Sequence, residues 1–106
     1  MNPKEAYEHA KKNGPSKKTR KIVCKDPEYA LYYAFYIDKE PKEDTRNAAC
    51  KGPWDAYRYA KSIDKEPRKD TRNAACRNPQ YAYYYAKNID QGPNDDTRKI
   101  ACEDLR

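Results

Sequence analysis

Several residue types are scarce in this 106-residue chain, which has three glycines and one each of histidine, methionine, tryptophan and phenylalanine. A lone His9, with no Cys-x-x-Cys pair anywhere, argues against a zinc centre. His9 also has no evident nucleophile or acid partner, so it reads as a surface residue of a terminal cap. No P-loop, dinucleotide fingerprint or nucleophile elbow occurs. No apolar run approaches about 18 residues, so no membrane span is expected. No charged-then-apolar leader is present, so no secretory signal is expected either. These absences lead to the expectation of a cytoplasmic protein that is not an enzyme and carries no cofactor and no metal.

The chain is instead rich in charge, tyrosine and repetition. Charged residues make up 38% and the mean hydropathy is −1.41, values that alone suggest disorder. The pattern opposes that reading. Cys24, Cys50, Cys76 and Cys102 recur every 26 residues, and Thr19, Thr45, Thr71 and Thr97 keep the same step. So do Arg20, Arg46, Arg72 and Arg98, and Pro15, Pro41, Pro67 and Pro93. A fixed period of this size marks stacked repeats in which each unit touches only its neighbours. The expectation is one all-α domain, an α-solenoid of four helix–turn–helix repeats over 1–24, 25–50, 51–76 and 77–102, with a tail at 103–106.

One repeat shows why. Asp26 then Pro27 is a helix start, an N-cap followed by proline where its missing N–H costs nothing. Ala30, Tyr33, Ala34 and Ile37 then recur at helical spacing, as do Ala56, Tyr59, Ala60 and Ile63, and Ala82, Tyr85, Ala86 and Ile89. Proline three residues after Asp38, Asp64 and Asp90 ends the first helix, and a second carries Thr45, Ala48 and Ala49 up to Cys50. The spacing predicts helices over 27–38, 42–51, 53–64, 67–77, 79–90 and 93–102. Repeat one departs from the pattern: its turn is two residues shorter, and His9 and Asn13 replace Tyr and Ile, as suits a terminal cap. Equivalent positions in stacked helices lie roughly 9–10 Å apart, beyond the reach of a disulfide. The cysteines are therefore expected to be reduced, buried thiols.

Comparing the units shows which positions tolerate change. Tyr29 becomes Asp55 and Tyr81, Tyr32 becomes Arg58 and Tyr84, and Tyr36 becomes Ser62 and Asn88. Positions that accept tyrosine, aspartate and arginine alike are not core, so Tyr29, Tyr32, Tyr36, Tyr81 and Tyr84 form a second, partly exposed stripe. Trp54 joins it, in a position held elsewhere by Lys4, Glu28 and Gln80. Such aromatics suit a protein interface, although tyrosines lying flat between repeats as packing would give the same pattern. The recurring Thr-Arg pair could line up phosphate ligands. The aspartates recur in the same register, however, which favours structural forks between Arg and Asp38, Asp64 and Asp90.

Charge is uneven as well. The net charge of +6 resides in the first 25 residues, where Lys11, Lys12, Lys17, Lys18, Lys21 and Lys25 surround one turn. Such a patch attracts nucleic acid or an acidic protein surface; a solvated cap is the plainer reading.

The stretch from Asp26 to Ala34, echoed from Asn78 to Ala86, resembles short tandem helical repeats of tailed-bacteriophage proteins. The unit is also similar in architecture to the longer Sel1-like and tetratricopeptide repeats. The resemblance implies a small phage-encoded binding protein in the host cytoplasm that occupies a host machine such as an antiviral defence complex. The reading is thus a non-enzymatic protein that docks on and blocks a protein partner. The alternative is a nucleic-acid binder using the lysine patch and exposed tyrosines.

Overall fold

In a computed structural model of the chain, residues 1–90 are described, and they are all-helical, with no strand among them. The helices are α1 (Pro3–Asn13), α2 (Lys17–Val23), α3 (Pro27–Tyr32), α4 (Glu43–Ala49), α5 (Pro53–Tyr59), α6 (Lys69–Ala75) and α7 (Pro79–Asn88). The expected helix over 93–102, the tail 103–106, and Pro93, Thr97, Arg98 and Cys102 lie outside the described residues.

The starts of three of the four odd-numbered helices, α1, α3 and α7, follow from side-chain capping. Asn2 and Glu5 form a capping box ahead of α1. The Asp26 carboxylate accepts the N–H groups of Glu28 and Tyr29, and Asn78 accepts those of Gln80 and Tyr81. Proline follows each cap, so an N–H that would lack a helical partner is simply missing.

Two expected helices, 27–38 and 53–64, are not α-helical throughout. From Tyr33 to Asp38 and from Ala60 to Asp64 the chain winds as a π-helix. The closing N–H of Lys65 bonds the Ala60 carbonyl, five residues back, at 2.8 Å. Asp90 bonds Tyr85 in the same way at 3.0 Å, just past the end of α7 at Asn88. Lys39 and Lys65 then turn the chain in the left-handed region, at φ 56° and 57°. Residues five apart on an α-helix point about 140° from one another. Closing the turn at five residues brings them onto one face, so Tyr33 and Asp38 share a face, as do Tyr59 and Asp64.

That shared face meets the even-numbered helices. The Tyr59 hydroxyl accepts the Lys42 N–H at 3.0 Å and lies 2.8 Å from the Thr45 hydroxyl and 3.0 Å from the Lys42 carbonyl. Tyr33 does the same with Ser16 and Thr19, and Tyr85 with Arg68 and Thr71. One tyrosine of each repeat thereby caps the second helix of the repeat before it. This explains a second departure from expectation. The second helices begin at Glu43 and Lys69, after an extended residue held by tyrosine, and run seven residues rather than about ten. They end at Cys50 and Cys76 because the next caps, Gly52 and Asn78, must be extended.

The arginines complete the module. Arg20, Arg46 and Arg72 each place the guanidinium over the ring of that tyrosine, 5.7–5.9 Å from its centroid. Each also grips the aspartate five residues further on: Arg20–Asp38 at 2.8 Å, Arg46–Asp64 at 2.6 Å and Arg72–Asp90 at 2.9 Å. The forks are therefore structural, with the Asp38 and Asp64 side chains only 1% exposed. A buried fork hydrogen-bonded on both oxygens keeps its charges satisfied.

Around these modules the core is made of small residues. Ala30, Ala34, Ala49, Ala56, Ala60, Ala75 and Ala82 are fully buried, as are Tyr33, Tyr59 and Tyr85. Cys24 and Cys50 are free thiols, and of Cys24, Cys50 and Cys76 only the last is buried. Cys24 and Cys50 sit half-buried at helix ends, where burial pushes their thiols up to about 11.

Candidate interaction surface

Beside these seams, packed against the same tyrosines, lie the positions at which the units differ. At the first junction Tyr7 of α1 packs on Tyr29 and Tyr32 of α3, with ring centroids 6.0 and 6.4 Å apart. At the third, Tyr57 of α5 packs on Tyr81 and Tyr84 of α7, at 6.3 and 6.0 Å. The middle junction holds Leu31, Asp55 and Arg58 in the corresponding places. Smaller or charged groups replace three tyrosines there, and a cleft opens between α3 and α5.

Leu31 lies in the cleft, which encloses about 120 Å³. Tyr32, Phe35 and Tyr36 line it from one side, and Trp54, Arg58 and Ser62 from the other. Phe35 stands edge-on to Tyr36 at 4.8 Å. The Arg58 guanidinium lies 5.9 Å from the Trp54 ring centroid and makes no ion pair among the described residues. An adjoining depression shares Phe35 and Ser62 and is lined by Lys39, Lys65 and Glu40. Glu40 is engaged by Lys42 at 2.8 Å.

Asp55 sits beside this cleft in the position filled by Tyr29 and Tyr81. Its Oδ1 is buried without a hydrogen-bond partner among the described residues, and its Oδ2 lies only 2.8 Å from where a Cβ on Gly52 would stand. Gly52 is therefore bare because the carboxylate occupies the space that a capping side chain takes in the other units. Desolvation, reinforced by Glu28 and Asp26, pushes Asp55 up to about 6.

The predicted stripe residues are placed unevenly. Tyr36 and Trp54 are exposed, at 57% and 41%, and Tyr32 joins them at the cleft. Tyr29 is half-buried against Tyr7, and Tyr81 and Tyr84 are half-buried against Tyr57. The stripe thus falls into two tyrosine clusters flanking one cleft. Hydrogen bonds hold two of the rings upright, Tyr32 to Glu28 at 2.8 Å and Gln80 to Tyr84 at 3.0 Å. The bond to Glu28 raises the Tyr32 pKa.

Two exposed aromatics were not anticipated, Phe35 at 45% and Tyr83 at 48%. The comparison of units could have found Phe35, since its position holds Lys61 and Lys87 elsewhere. No such signal marks Tyr83, whose counterparts Leu31 and Tyr57 are both buried.

Lys11, Lys12, Lys17, Lys18, Lys21 and Lys25 are all exposed, and none joins an ion pair among the described residues. His9 is exposed and lies 3.2 Å from the Asn13 side chain. Among the described residues no cluster of three or more histidine, cysteine or acidic side chains could hold a metal ion, and no helix is long and apolar enough to cross a membrane. No family model, no curated protein and no solved structure matches this chain.

Proposed function

We propose that the chain is a non-enzymatic α-solenoid of four repeats that acts by docking on a protein partner and blocking it. The observation that carries this reading is the cleft. Its rim presents Phe35, Tyr36 and Trp54 at 41–57% exposure, on a scaffold whose other large aromatics are mostly tucked away. Exposed aromatics beside an arginine are the residues that dominate binding energy at protein interfaces. Extents of 47 × 21 × 15 Å suit a row of stacked units. By its resemblance to phage repeats, the partner is a host defence complex and the site of action the host cytoplasm.

The test is a pull-down from bacterial lysate with mass spectrometry, using the native chain and a Tyr36→Ala/Trp54→Ala variant side by side. The reading expects one protein complex retained by the native chain and lost by the variant. Equal retention by both, or none by either, contradicts it.

The lysine patch favours a second reading, nucleic-acid binding through the first repeat. Six exposed lysines without ion-pair partners among the described residues are the basis. In that case the affinity falls steeply with salt, with a log–log slope of about −0.9 for each duplex phosphate neutralised. A flat salt dependence excludes it.

A further inference from the structure

We infer that the segment received by the middle cleft is an acidic peptide of the partner, with one apolar side chain in the cleft and carboxylates on Arg58, Lys39 and Lys65. The inference rests on the protein-docking reading above and specifies its chemistry. Size is the first argument. A volume of about 120 Å³ is well below the roughly 300–1,000 Å³ of small-molecule sites, and it suits one side chain rather than a free ligand. Charge is the second. Arg58 has an aromatic neighbour and no ion pair among the described residues, and Lys39 and Lys65 likewise make no ion pair among them. The one acid lining the adjoining depression, Glu40, is already paired with Lys42. The left-handed turns at Lys39 and Lys65 fix the backbone from which both lysines project. A partner that fills the cleft with an apolar group and leaves three cations unpaired would desolvate them without return. One with acids beside its anchor pairs them and gains approach rate as well.

Ring geometry separates a peptide from a nucleic acid. Successive bases stack on accessible aromatic faces along a groove. At the cleft the rings are inclined, Tyr32 to Tyr36 by 56° and Phe35 to Tyr36 by 79°. They offer edges and a socket in place of a platform.

The experiment is a random-peptide display selection against the immobilised full chain. Enriched peptides are then synthesised and titrated by fluorescence anisotropy against the native chain, Arg58→Glu and Trp54→Ala, each checked by circular dichroism. The expected result is enrichment of an aromatic or leucine with aspartate or glutamate close by. Arg58→Glu weakens binding by about 30-fold, and peptides whose acids are changed to lysine regain about tenfold on that variant. Peptides lost on Trp54→Ala but indifferent to Arg58→Glu overturn the acidic partner and leave the docking surface standing. Peptides indifferent to both variants overturn the surface as well. Failure to enrich any peptide overturns the inference. So does binding of a twelve-residue oligothymidylate that Arg58→Glu abolishes, which assigns the cleft to nucleic acid.

Discussion

The junctions between successive repeats are alike on one side and unlike on the other. On the seam side, Thr, Arg, Tyr and Asp build the same arrangement three times, with Arg–Asp distances of 2.6–2.9 Å. Beside the seam, the outer two junctions close with tyrosine on tyrosine, and the middle one opens around Leu31, Asp55 and Arg58. The same backbone step therefore serves two purposes. Where four side chains interlock, substituting any one leaves the others unsatisfied, and the pattern is held. Where rings merely lie against one another, substitution costs little, and a binding site can be made by omission.

The largest expected effect comes from breaking the seam. Arg46→Ala leaves Asp64 buried without its partner and should cost about 3 kcal/mol. Tyr59→Phe strands the Lys42 N–H, leaves the Thr45 hydroxyl only its bond to the Lys42 carbonyl, and should cost about 2 kcal/mol. Both are read from chemical denaturation. If either is neutral, the seam is not what holds the units together.

Next in size are the cleft aromatics. Trp54→Ala and Tyr36→Ala should each weaken partner binding by about 2 kcal/mol while moving stability by less than about 0.5 kcal/mol. Equal loss of stability and binding would mean that the two sides of the junction are not separable.

Alkaline titration tests the burial of the seam tyrosines and of the helix-end thiols together, without mutation. Burial raises Tyr59 and Tyr85 above the ordinary 10.0, and Cys24 and Cys50 from 9.0 to about 11. Each is an acid that the folded state keeps protonated after the unfolded chain has released its proton. Stability is therefore full below pH 9.0 and falls between pH 9.0 and about 11. A flat profile across that window contradicts the burial. Asp55 carries the opposite consequence at the middle junction. Its raised pKa helps folding below pH 3.8 and ceases to help as pH rises through about 6. Asp55→Asn should then melt above the native chain at pH 7 and close to it at pH 4.

The smallest effects concern the lysines and thiols. Reversing Lys11, Lys12, Lys17 and Lys18 to Glu should slow partner association and flatten its salt dependence while leaving dissociation alone. Native thiol labelling should reach Cys24 and Cys50 before Cys76, since only the last is fully buried.

Much of the seam was legible in the sequence, and less of the cleft. Repetition of Arg20, Arg46 and Arg72 in step with Asp38, Asp64 and Asp90 exposed the forks, because two groups that recur together imply a bond between them. The π winding was not legible. No residue type encodes it; it follows from the need to place Tyr33 and Asp38 on one face for one arginine. Nor was the tyrosine cap on Ser16, Lys42 and Arg68, since a backbone N–H leaves no mark in a sequence. The stripe was found by its interchange of Tyr29, Asp55 and Tyr81. Its division into two clusters around Trp54 and Arg58 depends on packing across neighbouring helices, which a comparison along the chain does not carry.

The central claim is that the binding site is an interruption in an otherwise closed aromatic face, and the most direct measurement is to close it. The triple variant Leu31→Tyr, Asp55→Tyr, Arg58→Tyr gives the middle junction the side chains of the third. Its affinity for the selected peptides should fall by at least about 30-fold, with helical content and melting temperature equal to the native chain or higher. Undiminished affinity in a folded variant would contradict the claim.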